Sequence, residues 1–65
     1  MTAYEKYAEM RDRKGVNDFR VATDTGIAPS TLSEWKLGKY TPKVDKLVAL
    51  AAYFEVPIDY FLKEA

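Results

Sequence analysis

Apolar residues along this chain return every three or four positions and never alternate over a strand-length run, which is the period of helices rather than of sheet. From about Ala3 to Lys14, Tyr4, Tyr7, Ala8 and Met10 recur at helical spacing, and Gly15 suits a left-handed cap at the end. Asn17 is a good N-cap for a short second helix that reaches about Thr25 and buries Val21 and Ala22. Gly26 breaks the chain there. Pro29 fits the first position of a third helix, which runs to about Leu37 with Leu32 and Trp35 on one face, and Gly38 ends it. Beyond the loop 39–42, a longer fourth helix spans roughly Val44 to Phe54, with Leu47, Leu50, Ala51 and Phe54 as its core-facing stripe. Ile58, Phe61 and Leu62 add a fifth turn or two, with Asp59 in the first turn where the helix dipole favours a carboxylate. The fold class is therefore all-α, a compact arrangement of five short helices.

Two of these helices meet at Thr25-Gly26-Ile27-Ala28. A turn of three or four residues containing glycine holds neighbouring helices at roughly 90–120°, with the second free to enter a major groove. Gly26 can take a positive φ without steric cost, and Ile27 can plug the gap between the helices. On the third helix the residues divide into two faces. Leu32 and Trp35 point inward, whereas Pro29, Ser30, Ser33 and Glu34 point outward near the N-terminal end.

Length and composition narrow the function. Sixty-five residues make one domain, 1–65, whose core is small and needs nearly every apolar side chain. The chain has no cysteine and no histidine, so disulfides, thiolate metal sites and the usual neutral-pH general base are all missing. No Gly-rich phosphate loop and no carboxylate pair in an apolar segment appears either, and an enzyme is not expected. No catalytic residue, cofactor, metal or small-molecule ligand is assigned. The charged N-terminal stretch (Glu5, Lys6, Glu9, Arg11) and the lack of a long apolar run lead to the expectation of a cytoplasmic protein that does not enter a membrane.

Ten basic and ten acidic residues cancel, which weighs against nucleic acid as a partner. Their distribution weighs the other way. Residues 33–46 hold Lys36, Lys39, Lys43 and Lys46 against Glu34 and Asp45, whereas residues 47–65 hold Lys63 against Glu55, Asp59 and Glu64. One end is a local basic patch and the other is acidic, although a lysine cluster can also be plain solvated surface.

The stretch TDTGIAPSTLSEWKLGKYTPKVDKLVALAAYFEVPIDYFL resembles the lambda-repressor/Cro-type helix-turn-helix family, also called the XRE family. The resemblance covers nearly the whole chain. It takes in Met10-Arg11, Val21-Ala22, Gly26-Ile27, Ser30 to Ser33 with Trp35, Lys36 and Gly38, the Pro42 loop, the fourth-helix stripe, and the closing Val56, Ile58, Phe61 and Leu62. It implies a sequence-specific regulator of transcription, of phage or bacterial repressor type, that binds a palindromic double-stranded DNA operator as a homodimer. Carried onto this sequence, the base contacts are Pro29, Ser30 and Glu34, with Thr31 and Ser33 beside them. The phosphate contacts are Asn17, Lys36, Lys39, Tyr40, Thr41 and Lys43. Lysines are point-charge clamps for phosphate, and Ser or Thr hydroxyls bond phosphate or base edges equally well.

Three positions depart from the family pattern. Ala28 stands where a capping Ser is common, which removes a cap worth about 1 kcal/mol. Asp18 puts a carboxylate near the start of the second helix, where relatives place a neutral or basic phosphate contact, and it should weaken DNA binding. Glu55 replaces the usual Gly at the end of the fourth helix, at a cost of about 1 kcal/mol if the backbone there is left-handed.

Other readings stay open on the residues themselves. Trp35 could stack on a base, but its spacing from Leu32 places it in the core. Phe19 is read as packed on the first helix rather than as a protein contact. Arg11 is read as a structural ion pair with Asp24 as candidate partner, and Tyr60, Phe61 and Leu62 as the dimer surface. The competing function is a protein-interaction module of the same fold, antitoxin-like or anti-repressor-like, favoured by Asp18, Glu34 and the zero net charge.

Overall fold

The five helices form between the residues that punctuate the pattern: α1 (Ala3–Lys14), α2 (Asp18–Thr25), α3 (Pro29–Lys36), α4 (Val44–Phe54) and α5 (Asp59–Leu62). A computed structural model describes residues 2–63 of the chain, with no strand among them. Glu64, counted above in the acidic end, lies outside the described residues.

Local chemistry explains where each helix starts and stops. Thr2 opens α1 with a capping box: its hydroxyl accepts the Glu5 N–H at 3.1 Å, and the Glu5 carboxylate accepts the Thr2 N–H at 2.7 Å. These bonds from Thr2 hold the Glu5 carboxyl below its ordinary pKa. Asn17 caps α2 by accepting the Arg20 N–H at 2.8 Å. α3 begins on Pro29, and Ala28 supplies no side-chain cap, as the sequence leads one to expect. α4 ends on Glu55 in the left-handed region at φ 59°, ψ 43°. A glycine there removes the Cβ strain but loosens the unfolded chain, and the two effects leave a net gain of about 0.5 kcal/mol. Glu55→Gly should therefore raise the melting temperature by roughly 2–4 °C. A melting curve unchanged or lowered by this substitution would show that Glu55 is not strained.

The core draws on every helix. Tyr7 from α1, Val21 and Ala22 from α2, Leu32 and Trp35 from α3, Leu47, Leu50, Ala51 and Phe54 from α4, and Phe61 from α5 close around Ile27 of the turn. Tyr7 is fully buried at the centre, its ring centroid 5.3 Å from that of Trp35 and 6.0 Å from that of Phe54. Trp35 also meets the edge of Tyr4 at 5.5 Å. It is a core residue, 5% exposed.

At four residues α5 is too short to hold itself together and depends on what it touches. Phe61 anchors it in the core. Lys6 is the buried charged side chain among the described residues, and its Nζ donates to the carbonyls of Tyr60 (3.0 Å) and Lys63 while lying over the Tyr60 ring. An ammonium there satisfies carbonyls that the end of the helix leaves free and complements its dipole.

Two expectations are corrected here. Phe19 does not pack on α1: it is 73% exposed, because Val21 and Ala22 take the inward positions of α2. The closing segment is not an open dimer surface. Phe61 is buried and Tyr60 half-buried, which leaves Leu62 alone exposed among the three.

Candidate nucleic-acid interface

The turn between α2 and α3 is fixed from both sides. Gly26 takes φ 77°, and its N–H bonds the Ala22 carbonyl at 2.9 Å. The Thr25 hydroxyl donates back to the Val21 carbonyl at 2.7 Å and accepts the Ile27 N–H at 3.3 Å. Ile27, 2% exposed, fills the angle between the helices. The outward face of α3 is thus set by how Leu32 and Trp35 seat inward.

Of the residues expected to meet bases, Pro29, Ser30, Ser33 and Glu34 are exposed, and Thr31 is half-buried. Lys36, Lys39, Tyr40, Thr41 and Lys43 follow on the same side of the sequence and are exposed as well, so the two expected sets form one continuous run from 29 to 43. Pro42 within it is buried and anchors the loop. Asn17 stands apart at the start of α2. Its amide oxygen is occupied by the cap, and its NH₂ group remains able to donate.

Charge is distributed differently from what the sequence suggests. Arg11 pairs with Asp18 at 2.9 Å and with Asp12 at 3.0 Å, not with Asp24. Asp24 is held instead by Arg20 at 2.9 Å, one turn away on the same helix, and by the Tyr53 hydroxyl at 2.7 Å. All ion pairs among the described residues use arginines of α1 and α2, so Lys36, Lys39 and Lys43 carry charge that none of these pairs offsets.

Asp18 is likewise corrected. It is not a bare carboxylate facing a phosphate path but a half-buried one that accepts from Tyr7 Oη at 2.6 Å and Arg11 Nη1 at 2.9 Å. The guanidinium, shared with Asp12, offsets part of its charge. Burial alone would raise the Asp18 carboxyl, but the hydrogen bonds from Tyr7 and Arg11 outweigh it and hold the group below the ordinary carboxylate range. Burial, followed by the bond to Asp18, pushes the Tyr7 phenol up.

A carboxyl depressed in the folded state stabilises the fold above its unfolded value, near pH 4, and that stability is lost as pH falls through the folded value. Wild-type protein should therefore lose stability in urea titrations below about pH 4 more steeply than Asp18→Asn. Equal slopes for the two would show that the triad does not carry this linkage.

The capping box, the Lys6 bonds and the Tyr7–Asp18–Arg11 triad escape a reading by apolar period. The first is announced by the Thr2-x-x-Glu5 spacing. The other two join α1 to the end of the chain and α1 to α2, and neither follows from the period of any one helix.

Among the described residues no helix is long and apolar enough to cross a membrane. No curated protein and no solved structure matches the chain at a significant level. A family model described as a helix-turn-helix domain matches residues 4–65, from α1 through the whole of α5. With the turn at Gly26, the seated Ile27 and the exposed face of α3, this match makes the chain a member of the helix-turn-helix family of the Cro/C1, or XRE, type.

Proposed function

We propose that the protein is a sequence-specific transcriptional regulator of the repressor type, which lays α3 in the major groove of double-stranded DNA and acts as a homodimer on a palindromic operator. The observation that carries this reading is the run 29–43, in which every polar side chain except the half-buried Thr31 is exposed while Leu32 and Trp35 are locked into the core and Leu37, 66% exposed, is an apolar side chain left in water. Membership of a DNA-binding family supports it.

The residues divide by chemistry. Ser30 and Glu34 address base edges, the hydroxyl as donor or acceptor and the carboxylate as acceptor from a group such as cytosine N4. Pro29, Thr31 and Ser33 shape the same surface. Lys36, Lys39, Lys43, the Tyr40 and Thr41 hydroxyls and the Asn17 amide fix register on phosphates without reading sequence. The backbone extends 27 Å along its longest axis, so one copy covers a half-site. Two copies about 34 Å apart, one turn of the duplex, satisfy a palindrome. A single copy buries too little surface for tight specific binding.

Ser30→Ala and Glu34→Ala should each change which sequence is preferred, by about 1–3 kcal/mol at one base pair per half-site, with little change in the salt dependence of binding. Binding to a panel of duplexes at fixed salt measures it. Unaltered preference in both variants would remove α3 as the reading element.

A second reading keeps the fold and exchanges the partner. Phe19, 73% exposed on α2, is an aromatic side chain in water, which suits a protein contact better than a phosphate. In that case the domain is an interaction module, and wild-type protein retains no duplex at any salt.

A further inference from the structure

α4 is apolar on two sides. Leu47, Leu50 and Phe54 face the core, yet Val44, Val48 and Ala52, spaced four apart, line a second stripe along the same helix and are exposed. Val44 is 59% exposed and Val48 48%. Asp45 and Lys46 keep the rest of the helix polar, so this second stripe is a bounded apolar patch of the kind that marks a contact surface.

We infer that the cover is a second copy of this chain, with the two α4 helices packed antiparallel across a two-fold axis near Val48. The inference rests on the homodimer reading above and names its surface.

Three features of the stripe fit a copy of itself. With Val48 on the axis, each Val44 meets Ala52 of the other copy, a large side chain against a small one. Antiparallel packing sets the Lys43 end of each helix, with its positive dipole, beside the Glu55 end of the other, with its negative dipole. The stripe is also continuous with the loop of free lysines, since α4 begins immediately after Lys43. This puts the two-fold axis between the DNA-facing loops of the two copies.

The area sets the strength. Val44 to Ala52 covers about 12 Å of helix, and a contact of that length falls below the roughly 1,200 Å² at which stable interfaces begin. The pair is weak in free solution and is completed when DNA holds both copies.

Because the chain has no cysteine, a single introduced thiol reports the geometry directly. Val48 and Leu62 are almost equally exposed, at 48% and 51%, so random collision oxidises Val48→Cys and Leu62→Cys alike. In a glutathione redox buffer, Val48→Cys should form a covalent dimer about tenfold faster than Leu62→Cys, because a two-fold axis at position 48 brings its own thiols within disulfide reach. Equal rates, or a faster Leu62→Cys, would overturn the proposal.

Val48→Glu should weaken self-association in sedimentation equilibrium about 100-fold by setting two carboxylates against each other in an apolar contact. Its retention as single copies on random-sequence 30-base-pair duplexes should match wild type. Unchanged self-association would again overturn the α4 pairing. Fast crosslinking at Val48 together with no duplex retention by wild type would uphold the pairing and overturn the DNA reading, so the two can fail separately.

Discussion

Replacing Lys39 and Lys43 together with alanine is expected to weaken binding to every duplex alike, by roughly 50-fold at 0.1 M salt, and to flatten the salt dependence by about two units of slope. Both lysines are exposed and outside every ion pair among the described residues, so their charge is available to phosphate without first breaking an internal contact. Each phosphate neutralised releases about 0.9 of a counterion, and that release, not a base contact, is what the pair supplies. Sequence preference should stay as it is in wild type. Anisotropy titrations from 50 to 300 mM salt, on two duplexes of unrelated sequence, measure slope and preference together. If the slope held and the preference changed, the loop would be reading bases and the docking geometry would be wrong.

Trp35→Ala should be the most damaging single substitution on α3. The indole is 5% exposed and lies against the rings of Tyr4 and Tyr7, so its loss removes a large apolar contact and leaves a cavity, at a cost of about 3–5 kcal/mol. A domain of this size has only about 3–10 kcal/mol in total. Much of the Trp35→Ala population should thus be unfolded at 25 °C, as read by far-ultraviolet circular dichroism in urea. Tyr40→Ala, an exposed aromatic a few residues on, should change stability by less than about 0.5 kcal/mol. If Trp35→Ala instead kept full stability and lost only DNA binding, the indole would be a base-stacking group.

The sequence carries the fold because its helices are short, periodic and sharply punctuated. The bounds of α4 follow directly from the Leu47, Leu50, Ala51 and Phe54 stripe, and the turn follows from Gly26 and Ile27. The left-handed backbone at Glu55 is legible through the family pattern, which places a glycine at that position.

The charge network is the part that a linear reading misassigns. Asp18, Asp24 and Asp12 are all plausible partners for Arg11 by spacing alone, and only the packing of α2 on α1 decides among them. That decision matters for function, since it turns Asp18 from a bare surface charge into a half-buried carboxylate bonded to Tyr7 and Arg11. Phe19 was similarly open, because a helix of eight residues has too few turns for its period to separate inward from outward positions. Lys6 lies beside the most buried tyrosine, and its bonds to α5 are visible only when the two ends of the chain are brought together.

The measurement that bears most directly on the whole account is retention from a pool of random duplexes at moderate salt, followed by sequencing of what the protein holds. The account predicts enrichment of a two-fold symmetric motif with half-sites about one helical turn apart. No enrichment, with no salt-dependent retention of any duplex, would contradict it and leave the interaction module as the function of this fold.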